Sequence, residues 1–285
     1  MQNINTTYTL LLIAIITSLF VKNKKPSYIL LIITNLFALY QGVINIVGFF
    51  SLVLFAGIIY SYFNFQNLNK IAKILLFLII SICVAAFALH KVPGFFNILA
   101  IHQIQLSELS PPFSMYLNFD KVMAALIIYC VSDLYILEKN SKSAYIKYTI
   151  TSLLLCIIVI LTPSFISGYI LFDPKLPDIL PIWTINNFFF VCMSEEIIFR
   201  GFMQRTLQDI LKKQQILAII ITSLVFGFAH FQGGLIYMAL SSICGFFYGY
   251  AYYKTGKILC SMVVHFGLNL FHLLLFTYPT AIKIL

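Results

Sequence analysis

The stretch "YTITSLLLCIIVILTPSFISGYIL", residues 148–171, decides the fold class, because it stays apolar long enough to cross a lipid bilayer. A helix needs about 20 apolar residues to span roughly 30 Å of hydrocarbon. Strands of a membrane barrel instead alternate apolar and polar side chains over short segments. The chain of 285 residues is 61% hydrophobic and 9% charged, with a mean hydropathy of +0.97. The sequence therefore predicts an all-α, polytopic transmembrane helix bundle.

Apolar runs separated by polar breaks set the number and direction of the predicted helices. They give about ten spans, or about 8–10 if the short first two runs are re-entrant. The runs lie near residues 7–21, 27–41, 43–63, 71–89, 120–138, 146–172, 180–204, 214–231, 234–253 and 258–278. Most lysines and arginines then fall on one side of the membrane. The positive-inside rule makes that side cytoplasmic and places the N-terminus outside.

Three regions are predicted along the chain. Residues 1–90 form an N-terminal four-helix membrane region, 91–119 a non-cytoplasmic loop, and 120–285 a six-helix region. A net charge of +9 would suggest a nucleic-acid partner for a soluble protein. Here the basic residues lie in short connections between apolar runs, so we expect contact with the lipid bilayer and no nucleic acid. The low-charge, Ile-, Asn- and Lys-rich composition indicates an integral protein of a bacterial cytoplasmic membrane.

A second stretch, "FVCMSEEIIFRGFMQRTL" at 190–207, places Glu195, Glu196 and Arg200 inside a predicted span. Ionisable side chains in a span cost about 2.5–3.5 kcal/mol each, so they mark functional or paired residues. Glu196 and Arg200 have the i, i+4 spacing of an ion pair on one helix face. Glu195 is rotated roughly 100° from that face. It must find a partner on another helix or stay protonated.

Two later spans supply further polar residues. The eighth ends in "SLVFGFAHFQGG", with Phe226 and His230 one helical turn apart. The tenth contains "CSMVVHFGLNLFH", with His265 and Asn269 on one face. Each histidine alone is typical of a packing residue. Together with the carboxylates, these residues supply a general base, its partner and donors for an oxyanion.

The three motifs, in this order, resemble those of the CPBP family, the CAAX proteases and bacteriocin-processing enzymes related to the Ras-converting CAAX endopeptidase. Here they are Glu195-Glu196-x-x-x-Arg200, Phe226-x-x-x-His230 and His265-x-x-x-Asn269. The neighbouring sequences "FRGFMQRTL", "FGFAH" and "YGYAYYKTGKIL" are also similar to the family. The resemblance covers about residues 180–275, where a catalytic core is expected.

The resemblance implies an intramembrane endopeptidase that hydrolyses membrane-embedded or membrane-anchored proteins and peptides. It implies that Glu195 activates water with His230, while His265 and Asn269 stabilise the oxyanion. Glu196, Arg200 and Phe226 would support the site. The alternative is a metalloprotease with a divalent ion such as zinc on Glu195, His230 and His265. The sequence lacks H-E-x-x-H and leaves both open, with the metal-free mechanism, which needs no cofactor, favoured.

Other functions and other base partners stay open at this stage. An ion- or proton-coupled transporter would use Glu195, His230 and His265 as a relay. A catalytically silent immunity or scaffold protein would keep the fold only to bind a partner. Counted at about 1.5 Å per residue from the cytoplasmic basic residues, His230 lies farther from the cytoplasmic side of the membrane than Glu195 and His265. His272 is therefore the alternative partner for the base.

Two further patterns carry structural expectations. Asn118, Asp120 and Lys121, at the start of the fifth span, are interpreted as a solvated helix start or, alternatively, as a substrate gate. Gly245 and Gly249 form Gly-x-x-x-Gly in the ninth span and predict a close contact with a neighbouring helix.

Overall fold

The structure, a computed structural model, describes residues 6–65, 68–132 and 141–281. Most of its helices begin and end within four residues of the predicted spans. The helix of the sixth predicted span ends at Ile166 rather than at 172, and residues 133–138 of the fifth lie outside the described residues. In chain order the helices are α1 (Thr6–Phe20), α2 (Lys25–Tyr40), α3 (Ile46–Asn64), α4 (Lys70–Ala88), α5 (Phe119–Val131), α6 (Lys142–Ile166), α7 (Leu180–Ile185), α8 (Met193–Glu196), α9 (Arg205–Leu211), α10 (Gln215–Phe228), α11 (Gly234–Thr255) and α12 (Ile258–Leu275). Two π-helical segments, Asn186–Cys192 and Ile197–Gln204, flank α8, and a 3₁₀ turn, Phe231–Gly233, precedes α11.

Several of these helices suit a bilayer. Within the described residues, five segments are long and apolar enough to cross a membrane: Ile46–Asn64, Lys70–Ala88, Lys142–Ile166, Phe231–Thr255 and Ile258–Leu275. Three shorter apolar helices, α1, α2 and α10, accompany them. The helices support an integral membrane protein that is built mainly of helix. The count of about ten spans and the outside N-terminus stay predictions.

The predicted loop 91–119 contains a two-stranded sheet that the all-α expectation did not include. Strands β1 (Ile98–Ile104) and β2 (Phe113–Leu117) pair with each other. Side-chain hydrogen bonds organise the turn between them. Gln105 donates to the carbonyls of Ser107 and Ser110, each at 2.7 Å.

Contacts within the chain divide it into two compact units. The first comprises Met1–Ala100, Tyr116–Ile136 and Phe189–Ile198. The second comprises Ile101–Met115, Leu137–Phe188 and Phe199–Leu285. The predicted regions 1–90, 91–119 and 120–285 follow the order of the spans rather than contacts, and that division stays a prediction.

Helix α5 forms the centre of the first unit. Its residues from Phe119 to Cys130 are all buried, and α1, α2, α3, α4 and α8 all contact it. A helix that is apolar on every side is typically surrounded on every side. The run "VMAALIIYCV" leaves no polar face, which is compatible with the central position of α5.

Helix α11 forms the centre of the second unit, where it contacts α6, α10 and α12. The apolar core among these helices includes Phe226 of α10, Tyr248 of α11 and Leu268 of α12. Phe226 and Tyr248 are among the largest fully or nearly fully buried side chains. The predicted motif residues of α10 and α12 therefore adjoin a packed core.

Candidate active site

A small cavity in the second unit is lined by four residues of the predicted site, Phe226 and three polar residues. His230, His265 and Asn269 border about 80 Å³ of space, together with His272, the alternative base partner. Apolar side chains form much of the remaining wall: Ile160, Leu161, Ile170, Phe226, Leu240 and Leu268. A few polar groups that converge in an apolar cavity are typical of binding and active sites.

Phe226 lies between the two predicted catalytic histidines. Its ring centroid is 4.7 Å from that of His230 and 5.9 Å from that of His265. The Phe226 carbonyl oxygen lies 2.7 Å from His230 Nδ1. Because a carbonyl can only accept, Nδ1 carries a proton, and Nε2 is the basic nitrogen of the neutral ring. The depth difference counted from the sequence does not separate His230 from His265, because both rings contact Phe226.

His265 and Asn269 are held by residues of the same unit. The His265 ring, 5% exposed, stacks on Tyr248 with 4.4 Å between centroids. Asn269 donates Nδ2–H to Asn187 Oδ1 at 3.2 Å. Asn187 lies in the π-helical segment Asn186–Cys192, and π-bulges are frequent at functional sites. It was not among the predicted site residues, although two adjacent asparagines in an apolar run are the signal that could have identified it.

The chain after α12 borders the cavity beside His272. His272 Nε2 lies 3.0 Å from the carbonyl oxygen of Thr277, and Pro279 lines the cavity. A hydrogen bond from the Tyr278 amide to Ser110 Oγ, at 3.0 Å, attaches this segment to the turn between the strands. His272 is thus bonded to the backbone that follows its own helix. His230 is instead bonded to a backbone carbonyl four residues before it.

Asp173 and Lys175 hold the connection between α6 and α7 at the same end of the unit. Lys175 Nζ lies 3.1 Å from Asp173 Oδ2 and also donates to the Phe276 carbonyl. Burial raises the pKa of the Asp173 carboxyl, but hydrogen bonds from Ser107 and Lys175, the Lys175 charge and a bond from Ser110 outweigh it, so the pKa lies below its usual value. Asp173 is therefore a stable carboxylate near neutral pH.

The close helix contact predicted at Gly245 and Gly249 is confirmed. The carbonyl oxygens of both glycines also accept hydrogen bonds. Arg200 donates to the Gly245 carbonyl at 3.0 Å, and Gln204 donates to the Gly249 carbonyl at 2.9 Å. A Cβ at Gly249 would lie 2.5 Å from Gln204 Oε1, closer than real contacts. The buried guanidinium of Arg200 also lies over the Phe226 ring, with Cζ 4.5 Å from its centroid. Arg200 therefore holds both α11 and the ring that contacts the two histidines, and its pairing with Glu196 stays a prediction.

Glu195, in the first unit, has a partner from another helix, which is one of the two alternatives that the sequence left open. Lys121 Nζ of α5 lies 3.0 Å from Glu195 Oε1, and the two side chains are only 11% and 13% exposed. Glu196, in the same unit, is fully buried. In the sequence, Lys121 was interpreted as part of a helix start or of a substrate gate and not as a partner of Glu195, because no spacing rule connects residues this far apart.

The interpretation of Asp120 and Lys121 as a solvated helix start is wrong, since both are buried. Asp120 Oδ2 lies 2.7 Å from His90 Nδ1, and its Oδ1 accepts a hydrogen bond from Asn97 at 3.1 Å. Asn97 Oδ1 accepts the amide hydrogen of Phe119 at 2.8 Å. Residues after α4 thus satisfy the polar groups that a helix start would otherwise leave to water.

The described ranges 6–65, 68–132 and 141–281 include the side chains of the proposed metal alternative. In these ranges no group of three or more His, Cys, Asp and Glu side chains is placed to hold a metal ion together. Glu195 belongs to the first unit and the two histidines to the second. The alternative of a divalent ion such as zinc on Glu195, His230 and His265 stays a prediction.

Comparison with known proteins agrees with the motifs. Residues 177–271, about one third of the chain, match the family model described as type II CAAX prenyl endopeptidase Rce1-like. The matched segment contains all of the predicted site residues: Glu195, Glu196, Arg200, Phe226, His230, His265 and Asn269. This confirms the family resemblance over that segment and supports a membrane protease of the CAAX type. Comparisons with curated proteins and with solved structures found no match.

Proposed function

We propose, from the family that residues 177–271 match, that this chain is an intramembrane endopeptidase. Its substrates are membrane-embedded or membrane-anchored proteins and peptides, and its location is a bacterial cytoplasmic membrane. The observation that carries the proposal is the presence of all three motifs, in order, within the matched segment. The shared cavity of His230, His265 and Asn269 supports it.

In the proposed reaction, Glu195 and His230 activate a water molecule. The Glu195 carboxylate takes a proton as the water oxygen bonds to the carbonyl carbon of the scissile peptide, and an electron pair moves to the carbonyl oxygen. The electron pair then returns from the oxyanion to re-form the carbonyl as the C–N bond breaks, and the proton passes from Glu195 to the leaving nitrogen. The products are a carboxylic acid and an amine, and the acid then releases its proton to water. The hydrogen bond from His230 Nδ1 to Phe226 leaves Nε2 as the nitrogen that can accept a proton. A positioned general base contributes about 10²–10⁴-fold in rate.

His265 and Asn269 are proposed to stabilise the oxyanion of the tetrahedral intermediate. The bond from the Asn269 amide to Asn187 orients this side chain, whose N–H groups are hydrogen-bond donors. Stacking on Tyr248 fixes the plane of the His265 ring. Such preorganised donors need no reorientation as negative charge develops, and loss of one typically lowers kcat about 10²–10³-fold.

Arg200, Phe226 and Glu196 are proposed to support the site. Arg200 donates to the Gly245 carbonyl and covers the Phe226 ring, so it fixes the residue that contacts both histidines. A fully buried Glu196 requires a compensating partner, and Arg200 at i+4 is the proposed one.

The proposal is tested by comparing membrane proteins from cells that produce the wild type, Glu195→Gln, His230→Ala or His265→Ala. We expect uncut substrates to accumulate in all three variants, and new N-termini of membrane peptides to appear only with the wild type. His102→Ala is the matched control, because His102 is exposed on β1. Variants that cut like the wild type would contradict the proposed residues. Loss of proton-dependent uptake without any change in cleavage would favour a transporter instead.

The chemistry of the substrate and any metal dependence are resolved with purified protein in liposomes. Two internally quenched CAAX peptides, identical except for an S-farnesyl group, test whether a prenyl chain is required. Unlipidated single-span peptides test membrane-embedded substrates. We expect cleavage to persist in the presence of a chelator, since the metal-free mechanism is the favoured one. Loss on chelation with recovery on zinc addition would support the metal alternative.

A further inference from the structure

Lys121 lies outside the matched segment, yet it contacts the residue proposed as the general base. The distance from Lys121 Nζ to Glu195 Oε1 is 3.0 Å. We propose that Lys121 is a positioning residue that holds the Glu195 carboxylate in the orientation needed for attack by water. This inference rests on the proposed function and extends it to a residue of the N-terminal half of the chain.

The ion pair is buried enough to constrain Glu195. The two side chains are 11% and 13% exposed, so water screens their attraction less than it does at a surface. Lys121 bonds to one carboxylate oxygen, Oε1. A carboxylate has two oxygens, so one can be fixed by an ammonium group while the other accepts a proton. Holding a flexible glutamate in one rotamer reduces the ordering that the transition state would otherwise require.

Lys121 is itself held in place by its neighbours in the first unit. Its amide donates to Asp120 Oδ1 at 2.8 Å. Asp120 in turn contacts His90 at 2.7 Å and Asn97 at 3.1 Å. Because the chain after α4 anchors the start of α5, the lysine approaches Glu195 from a fixed backbone position.

The charges around this pair favour a cation at position 121. Glu196, next to Glu195 in the chain, is a second buried carboxyl group in the same unit. Asp120, beside Lys121, faces His90 and Asn97. A neutral residue at position 121 would leave the carboxylate of Glu195 without this cation. We expect the glutamate then to turn toward other donors and to lose its orientation for catalysis.

Lys24 offers a matched control for a merely structural role. It is also a buried lysine of the first unit, 9% exposed. It donates to the Ser18 carbonyl at 3.0 Å and lies over the Tyr129 ring. Lys24→Met therefore removes a buried cation of the same unit without changing the contact to Glu195.

The experiment measures steady-state cleavage of the quenched CAAX peptides by full-length protein in liposomes, with rates normalised to folded protein. Lys121→Met is expected to lower kcat on the order of 10²-fold with KM unchanged, the signature of a displaced catalytic group. Lys121→Arg, which keeps a cation and N–H donors, is expected to recover most of that loss. Lys24→Met is expected to keep the wild-type kcat.

A thermal-unfolding cycle tests the ion pair without any substrate. Lys121→Met should lower the apparent Tm in the wild-type background and lower it much less in a Glu195→Gln background, because coupled residues are not additive. Equal decreases in both backgrounds would overturn the inference. So would a Lys121→Met protein with wild-type kcat, or equal losses of kcat in the Lys121→Met and Lys24→Met proteins.

These results distinguish the inference from the function on which it rests. If Glu195→Gln abolishes cleavage and Lys121→Met does not affect it, only the role of Lys121 is wrong. If Glu195→Gln cleaves like the wild type, the proposed base is wrong, and the positioning role falls with it.

Discussion

Gly227→Ala is expected to separate α10 from α11 and displace His230. A Cβ at Gly227 would lie 1.8 Å from Ser242 Oγ and 2.6 Å from the backbone oxygen of Met238. The serine hydroxyl can rotate away, but the carbonyl belongs to a helix backbone and cannot. The two helices must therefore move apart by roughly 1 Å to restore an ordinary contact distance.

The size of the effect follows from two opposing terms. Overpacking of this kind costs about 1–3 kcal/mol, while replacing glycine by alanine in a helix returns up to about 1 kcal/mol. Because the clash is with backbone, we expect a net loss, with an apparent Tm lower by about 2–4 °C per kcal/mol. Phe226 and His230 flank Gly227 on the same helix end, and a shift of about 1 Å at a catalytic group can cost about 10²-fold in rate.

The assay compares Gly227→Ala with Gly57→Ala, in thermal unfolding in detergent and in peptide cleavage. A Cβ at Gly57, in α3, would have no atom within 4 Å. We expect Gly57→Ala to be as stable as the wild type or slightly more stable, with unchanged cleavage. If Gly227→Ala matches the Gly57→Ala control in both measurements, the close approach of α10 and α11 does not set the position of His230.

Three further substitutions test single contacts. Asn187→Ala removes the hydrogen-bond acceptor for Asn269. We expect kcat to fall about threefold to tenfold, which corresponds to the loss of one hydrogen bond. An unchanged kcat would contradict the role of this bond. Arg200→Lys keeps the charge but loses the planar guanidinium over the Phe226 ring. We expect a stability loss of about 2 kcal/mol in thermal unfolding. An unchanged stability would show that this contact does not stabilise the fold. The carboxyl of Asp173 has a lowered pKa, so its contribution to stability is present above its usual value of 3.8 and is lost as the pH falls through the lowered value. Thermal unfolding at pH 6 and pH 3 should show a larger decrease for the wild type than for Asp173→Asn, and equal decreases would refute this role.

Helix positions were predictable because they depend on the lengths of apolar runs between polar breaks. The predicted runs 71–89 and 258–278 correspond to α4 and α12. The burial of α5 was not predictable in the same way. A run that is apolar on every side suits lipid and a protein interior equally well, so composition cannot tell which surrounds it.

The strands and the buried helix start were missed for a different reason. Strands β1 and β2 are short, and side-chain bonds from Gln105 to two serine carbonyls organise their turn, which no residue pattern indicates. The polar residues at the start of α5 looked solvated because their partners, His90 and Asn97, lie in another part of the sequence.

Some residues of the candidate site could be predicted from local spacing in the sequence, and others could not. The i, i+4 spacings at the end of α10 and within α12, read with the family motifs, led to His230, His265 and Asn269, which border one cavity. Lys121 and Asn187 hold predicted site residues from 74 and 82 positions away. Contacts over such separations depend on tertiary packing, which helical periodicity does not encode.

The most direct test of the central claim is peptide hydrolysis in oxygen-18 water by purified protein in liposomes, followed by mass spectrometry of the products. We expect wild-type protein to cut a membrane-anchored peptide and to place one oxygen-18 atom in the new carboxyl group. We expect folded Glu195→Gln protein to form no product. Labelled product from Glu195→Gln at the wild-type rate, or no cleavage of prenylated, unprenylated and single-span peptides by the wild type, would contradict this claim.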